Sequence, residues 1–267
     1  MDSTLYSIIL GIVQGIAEFL PISSSAHLVV TSSFLNNNEP LSLAQNIGLH
    51  VGTLLSVLIF FRKDWINLII KLLKRLRGQS SFESDVFFPS LIVGSIPAGI
   101  IGILFQDKIE EYLHHPLVVT VPLALVGWAM WYGDKKLPTN KSLQDITLKQ
   151  AFFVGICQAC ALIPGVSRSG STILGGRFLG LDRGEAARFS FMLGTPAMAG
   201  AALLNGKEII ASLTQSDFYV GCITATIVGC LSIKFLLGFL KNNGFFSFLI
   251  YRVVLAIIIL IVFWPHS

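Results

Sequence analysis

The sequence predicts an all-α polytopic membrane protein: an inverted repeat with six transmembrane helices and two re-entrant helical hairpins. Three observations carry this prediction: an apolar composition, two polar interruptions inside apolar segments, and an uneven distribution of positive charge. Hydrophobic residues make up 53% of the 267 residues and charged residues only 13%, about half the charged share of an average soluble domain. So few charges exclude a soluble domain of this size, a coiled coil and a disordered chain.

Six segments are long and apolar enough to cross a bilayer, which takes about 20 residues of helix. They are residues 43–61, 87–105, 117–131, 186–204, 218–240 and 245–264. Two further apolar segments, 5–35 and 151–179, are each interrupted by a polar stretch. The arms on either side hold about ten residues, which reach only about 15 Å as helix. Each of these segments is therefore predicted to enter the membrane as a half-helix, turn, and return as a second half-helix.

The two interruptions belong to a repeat, because the sequence GIVQ at 11–14 resembles GICQ at 155–158, and a proline and serines follow each. A second similarity joins residues 94–98 to residues 194–197. We predict a single membrane domain, 1–267, with a first repeat over 1–133 and a second over 150–267. Each repeat holds one hairpin and three spans, so the second must be inverted relative to the first. Inverted repeats with broken helices commonly place a binding site where the breaks meet.

Positive charge falls on one side of this topology. With the N-terminus outside, 14 of the 19 Lys and Arg residues lie in the inside loops and 2, Lys108 and Lys207, lie outside. This bias places both termini on the extracytoplasmic side of the plasma membrane. The basic residues lie between apolar segments rather than in a stripe with exposed aromatics, so nucleic acid is not an expected partner.

Glu18 and Arg168 lie deep inside the interrupted segments, where a charge is costly and is usually functional. If the two hairpins meet, these two residues become neighbours. One interpretation is a structural ion pair that locks the two repeats together. The other is a site for a charged ligand, which the surrounding residues favour.

Hydroxyl groups and glycines surround both charges. They are Ser23, Ser24 and Ser25 after Glu18, then Ser167, Ser169 and Thr172 beside Arg168, and the glycines Gly165 and Gly170. Half-helix N-termini and hydroxyls that converge on an arginine form an anion site, which glycines allow the backbone to approach closely. Some of the serines are expected only to cap helices. Phosphate suits this arrangement better than carboxylate because it offers more acceptor oxygens.

His27 lies three residues after Ser24, a spacing that places both side chains on one face of a helix. A lone histidine near a helix start is more often structural than catalytic. A hydroxyl, a histidine and a carboxylate together nevertheless permit nucleophilic attack with acid–base assistance. His50, in another apolar segment, is interpreted as a packing residue or a support for the site.

Two motifs resemble the signatures of a known family, the bacitracin-resistance undecaprenyl-diphosphate phosphatases. The segment 14–27, QGIAEFLPISSSAH, is similar to the first signature, and the segment 164–172, PGVSRSGST, is similar to the second. The resemblance extends over nearly the whole chain, and the two motifs together are highly specific.

The resemblance implies an enzyme of the bacterial plasma membrane, multi-pass, with its active site facing the periplasmic side. Its substrate would be undecaprenyl diphosphate, whose terminal phosphate is removed to recycle the lipid carrier of cell-wall synthesis. By position, Glu18 matches the essential carboxylate, Ser24 the candidate nucleophile, His27 the motif histidine and Arg168 the phosphate-binding arginine. At position 14 the family's pattern allows Glu or Gln, and Gln14 is counted here among the substrate-binding residues.

The resemblance also implies a divalent cation, Mg²⁺ or Ca²⁺, with Glu18 as its ligand. Because position 14 is Gln, this chain offers one carboxylate there rather than two. Two points stay open: whether Ser24 or a water molecule attacks, and whether the protein forms a homodimer. Membrane lipid is the other expected partner.

A polyprenyl-phosphate transporter, or flippase, is the alternative function. Inverted repeats with broken helices are typical of secondary transporters. Such a transporter would use the same arginine and serines but would need no nucleophile.

Overall fold

The computed structural model describes residues 2–35, 41–77, 86–112, 116–137, 139 and 141–264. Within these residues the chain forms twelve α-helices and no β-strand. The helices are α1 (Ser3–Ala17), α2 (Ser24–Leu35), α3 (Leu43–Phe60), α4 (Arg62–Leu76), α5 (Phe87–Tyr112), α6 (Thr120–Lys136), α7 (Leu148–Cys160), α8 (Arg168–Phe178), α9 (Arg183–Leu204), α10 (Gly206–Ser212), α11 (Ser216–Phe239) and α12 (Phe246–Phe263). The all-helical membrane class predicted from the composition is confirmed.

Five helices in the described ranges are long and apolar enough to cross a membrane, against the six predicted. They are Leu43–Phe60, Phe87–Phe105, Leu117–Lys136, Ser216–Phe239 and Phe246–Phe263. The predicted span 186–204 lies in α9, a helix of 22 residues that has the length but not the composition. Most of its first half is buried in the bundle, and a helix covered by protein does not need the apolar surface that lipid demands.

Both predicted interruptions are present. In the first, α1 ends at Ala17 and α2 begins at Ser24; in the second, α7 ends at Cys160 and α8 begins at Arg168. The longest of these four helices, α1, has 15 residues, or about 22 Å of helix. That length falls short of a hydrocarbon core of about 30 Å. We call residues 18–23 the first break and residues 161–167 the second break. Ser24 and Arg168, which begin the helices that follow, are counted with the first and the second break, respectively.

Some of the helix contacts are mirrored between the two halves of the chain. Helix α1 packs on α11 as α7 packs on α5, and the pairs α3–α9 and α6–α12 contact each other directly. If the helices of each half are numbered one to six, the first helix of each half packs on the fifth helix of the other. The two third helices contact each other, and so do the two sixth helices. An inverted repeat has contacts of this kind. Close approach depends on glycine: a β-carbon on Gly155 would lie 2.4 Å from the carbonyl oxygen of Gly94, and one on Gly11 would lie 2.6 Å from Cβ of Thr224.

The similarity between residues 94–98 and 194–197 does not join equivalent helices. Residues 94–98 lie in α5, the fifth helix of the first half, whereas residues 194–197 lie in α9, the third helix of the second half. The mirrored contacts pair α5 with α11 instead. The shared glycine and proline therefore reflect local packing, and the predicted repeat rests on the two breaks.

The largest buried apolar cluster surrounds the first break. It combines Phe19 and Ile22 of that break with Val57 of α3, Leu193 of α9 and Ile233 of α11. The ring of Phe19 meets that of Phe191 edge to face at a centroid distance of 5.4 Å. This cluster fixes the first break against α9, the helix that also contacts the second break's arginine.

Candidate active site

The two breaks meet at an ion pair between Glu18 and Arg168. Nη2 of Arg168 lies 2.9 Å from Oε1 of Glu18, and the two side chains are 15% and 11% exposed, respectively. They lie 150 positions apart in the chain, so only the packing of the two halves brings them together. This contact agrees with the prediction that the two residues become neighbours where the hairpins meet.

The second oxygen of Glu18 accepts two more hydrogen bonds. Oγ of Ser24 donates to Oε2 at 2.7 Å, and Nε2 of Gln14 donates to the same oxygen at 3.2 Å. The first residue of α2 and the first residue of α8 thus bind one carboxylate from two sides. A carboxylate that already accepts the serine proton is placed to remove it.

Helix α9 seats the guanidinium of Arg168. Nη1 of Arg168 donates to the carbonyl oxygen of Ser190 at 3.2 Å, and Nη2 lies 3.8 Å from Sδ of Met198. A β-carbon on Gly194 would lie only 1.9 Å from Nη1 of Arg168. Gly194 and Ser190 therefore hold this arginine, although the sequence reasoning assigned neither a role at the site. Pro196, two residues after this glycine, was the signal available in the sequence. The sequence does not show, however, which residue lies beside it.

Both breaks end in the same unusual backbone. Ser23 has φ 73° and Ser167 has φ 72°, in the left-handed region that non-glycine residues seldom adopt. Each serine also pairs with the serine two residues later: Ser23 with Ser25 at 3.1 Å, and Ser167 with Ser169 at 3.2 Å between Oγ atoms. The strained backbone at these two serines allows α2 and α8 to begin at the next residue. Those next residues, Ser24 and Arg168, both bond the carboxylate of Glu18.

Several predicted substrate-binding groups are engaged by the protein itself. Oγ of Ser169 donates to the carbonyl oxygen of Leu20 at 3.2 Å, which ties the second break to the first. Thr172 pairs with Ser190 through their hydroxyls at 2.6 Å. Oγ of Ser167 accepts from the backbone amide of Gly170 at 3.2 Å. These hydroxyls support the break, whereas Ser24 and the exposed Ser25 lie at its accessible side.

The two predicted phosphate-loop glycines lie against neighbouring parts of the protein. Gly165 has φ 90°, and a β-carbon on it would lie 2.4 Å from the carbonyl oxygen of Val119. A β-carbon on Gly170 would lie 3.2 Å from Nη1 of Arg252. The absence of a side chain at these two positions therefore serves packing, and their contact with a phosphate group stays a prediction.

His27 is held away from Ser24. Its Nδ1 lies 2.7 Å from the carbonyl oxygen of Ser23, which can only accept, so Nδ1 carries the proton. Its Nε2 lies 2.6 Å from the hydroxyl of Tyr251 on α12. Both ring nitrogens are therefore engaged elsewhere, and Glu18 rather than His27 contacts the Ser24 hydroxyl. His50 is exposed, and its Nδ1 bonds the carbonyl oxygen of Asn46 at 2.9 Å.

Arg252 forms hydrogen bonds to both breaks, and the sequence analysis assigned it no role. It is fully buried. Its Nη1 donates to Pro21 of the first break at 3.0 Å, and its Nη2 donates to Gly165 and Val166 of the second break, each at 3.0 Å. Its Nε donates to Leu123 of α6 at 2.6 Å. Its Nη2 also donates to Pro122 at 3.4 Å, and all five acceptors are carbonyl oxygens. An arginine within the very apolar segment 245–264 was the available signal.

The donor set at this site is poor for a metal ion held by protein alone. Among the described residues, no group of three or more His, Cys, Asp or Glu side chains could hold one. Glu18 supplies two oxygens, and the hydroxyl of Ser24 lies beside them. A hard cation there would need further oxygens from a phosphate ligand or from water, which is how Mg²⁺ is commonly bound.

Comparison with known proteins agrees with the two motifs. The family described as Bacitracin resistance protein BacA matches residues 7–258. The undecaprenyl-diphosphatase of Thermodesulfovibrio yellowstonii is 48% identical over 273 residues, which cover 99% of each chain. That of Moorella thermoacetica is 43% identical and covers 98% of each chain. That of Pelotomaculum thermopropionicum is 40% identical and covers 95% of each.

Proposed function

Because the chain belongs to the bacitracin resistance protein BacA family, we propose that it hydrolyses undecaprenyl diphosphate to undecaprenyl phosphate and phosphate. One observation carries the proposal: the carboxylate of Glu18 bonds both the Ser24 hydroxyl and the Arg168 guanidinium. A base, a hydroxyl and a phosphate-binding cation within one cluster are the parts that phosphoryl transfer requires.

Arg168 binds the terminal phosphate of the substrate. Its guanidinium can hold two phosphate oxygens at once and offset the charge that develops in the transition state. In the structure its Nη2 is engaged by Glu18, so the incoming phosphate competes with that carboxylate. Substrate binding thereby loosens the ion pair and leaves Glu18 free to act on Ser24.

Ser24 is the nucleophile in the proposed reaction. Its Oγ attacks the terminal phosphorus while its proton passes to Glu18, 2.7 Å away. The bond from that phosphorus to the bridging oxygen breaks, and undecaprenyl phosphate leaves. Glu18 passes this proton to the departing undecaprenyl phosphate and is ionised again. Water then attacks the phosphorus of the phosphoserine, Glu18 takes the water's proton and returns it to Oγ of Ser24 as the bond from phosphorus to Oγ breaks. In the version without a covalent intermediate, Ser24 instead orients the attacking water.

A divalent cation, Mg²⁺ or Ca²⁺, would be held by the carboxylate of Glu18. When bound, it would neutralise charge on the phosphate oxygens. Glu18 and the substrate's own oxygens are the ligands we assign to it, because the cluster offers a single carboxylate among the described residues.

The orientation in the membrane is also a proposal. Both termini lie outside the cytoplasm, as the distribution of Lys and Arg favours, and the site opens toward the periplasm, as the resemblance to the family implies. The prenyl chain lies in lipid between spans, and a homodimer stays a prediction.

The mirrored helix contacts favour the second candidate, a flippase for polyprenyl phosphate. Purified protein in detergent separates the two functions, since transport has no meaning there. We expect phosphate release from undecaprenyl diphosphate by the parent protein and none by Arg168→Ala. No release by a folded parent protein with Mg²⁺ or Ca²⁺ present would reject the hydrolase and leave the transporter.

A further inference from the structure

Helix α4 is attached to the bundle by one face only. Leu68 is buried, and Trp65 packs against the main apolar cluster. Asp64 forms an ion pair with Arg188 of α9. These contacts fix the rotation of α4 about its own axis, so its remaining surface has a defined direction.

The surface that faces away from the bundle is apolar. Five aliphatic side chains on it are 45–75% exposed: Ile66, Ile69, Ile70, Leu73 and Leu76. At about 100° per residue they share one sector of the helix. The helix has 15 residues, about 22 Å, which is too short to cross the membrane. A short helix with such a face is stable when it lies flat in the membrane interface.

Positive charge borders this apolar sector. Residues 62–77 hold six Lys and Arg side chains and one acidic residue, Asp64, whose carboxylate is already paired with Arg188. Lys63 and Lys74 are exposed and project beside the aliphatic sector. Their long stems can lie along apolar surface while the ammonium groups reach the headgroup region.

The equivalent helix of the second half lacks these features. Helix α10 has seven residues, packs on α3, and carries one lysine and one glutamate, Lys207 and Glu208. An element that only filled space in the repeat would be similar in both halves. The length and charge of α4 therefore point to a role that its counterpart does not share.

We propose that α4 is a lipid-recognition element that lies in the bilayer interface and binds the headgroups of anionic phospholipids. The aliphatic sector enters the acyl region of the leaflet that α4 faces, and the bordering lysines and arginines contact phosphate groups. This inference depends on the protein being in a membrane and not on the proposed hydrolysis.

The test uses full-length protein in detergent with equal amounts of phosphatidylcholine and phosphatidylglycerol, and native mass spectrometry counts the lipids retained. The parent protein should retain phosphatidylglycerol preferentially. Lys63→Gln/Lys74→Gln should lower that preference on the order of tenfold, because each lysine near a headgroup contributes about 1 kcal/mol. The matched control is Lys141→Gln/Lys149→Gln, two exposed lysines outside α4, which should keep it.

Three outcomes would overturn the proposal. The control could lose the preference as much as the α4 variant, which would assign it to net charge. It could also turn out that neither variant loses the preference for phosphatidylglycerol. A short RNA could displace phosphatidylglycerol from the parent protein, which would assign the basic residues to nucleic acid.

A second variant, Ile69→Asn/Leu73→Asn, tests the apolar sector. It should retain fewer lipids of both kinds while phosphate release in detergent stays at the parent level, and an unchanged lipid count would contradict the seating of α4 in the bilayer.

Discussion

The first break, between α1 and α2, and the second, between α7 and α8, end on serines with nearly the same backbone angle, φ 73° at Ser23 and 72° at Ser167. Each serine hydroxyl pairs with the hydroxyl two residues later. Arg252 donates to carbonyl oxygens of both breaks. The two halves therefore contribute the same scaffold twice.

The side chains on that scaffold differ. Aligning Ser23 with Ser167 places Ser24 opposite Arg168 and Glu18 opposite Leu162. The first break supplies the carboxylate and the hydroxyl, and the second supplies the cation. Neither break alone has the parts for phosphoryl transfer, so the two copies of this backbone serve two different chemical tasks.

Removing the hydroxyl that begins α2 should have the largest effect. Ser24→Ala should abolish turnover of undecaprenyl diphosphate while binding persists, because Ser24 alone among the three serines bonds Glu18. Ser23→Ala and Ser25→Ala should be milder, since these two hydroxyls bond each other. Single-turnover hydrolysis compares the three variants. Rates within a few-fold of one another would remove Ser24 from the nucleophile role.

Changing the residue that begins α8 should have the next largest effect. Arg168→Lys keeps the charge and should keep the fold, but an ammonium cannot contact phosphate, Glu18 and the Ser190 carbonyl in the same geometry. We expect kcat/KM to fall about a hundredfold to a thousandfold, measured by phosphate release with thermal unfolding as the folding control. Activity near that of the parent would show that a point charge suffices.

Moving the arginine without replacing it should cost less. Gly194→Ala places a methyl group 1.9 Å from Nη1 of Arg168, and the end of a flexible side chain can shift to relieve the clash. We expect about a tenfold loss in kcat/KM with little change in unfolding temperature. The matched control is Gly200→Ala in the same helix, where an added β-carbon would meet nothing within 4 Å in the described part of the chain. Equal losses of kcat/KM in the two variants would show that Gly194 has no specific role in positioning Arg168.

The sequence alone predicted the two breaks and the ion pair between them. Ionisable groups are rare in apolar segments, so Glu18 and Arg168 stood out without any spatial information. The seat at Gly194, the Arg252 bonds and the partner of His27 could not be found this way, because they depend on α9 and α12 packing against the breaks. The missing sixth apolar span has a different origin, since the composition of α9, which falls short of that of a spanning helix, was already present in the sequence.

The smallest effect is expected at Tyr251, the hydrogen-bond partner of His27. Tyr251→Phe removes one of the two hydrogen bonds of His27 and leaves the other, to Ser23, in place. One such bond is worth about 1 kcal/mol, so kcat should fall a few-fold with KM nearly unchanged. Steady-state kinetics test this, and a loss as large as that of Arg168→Lys would mean that His27 takes part in the chemistry directly.

The most direct test of a site divided between the two breaks is a double-mutant cycle on kcat/KM with Glu18→Gln, Arg168→Lys and the double variant. If the two side chains act as one unit across the halves, the second substitution should cost little once the first is present, and the double variant should be about as active as the weaker single variant. Losses that simply multiply would show that Glu18 and Arg168 act independently, and would contradict a single active site built by both breaks.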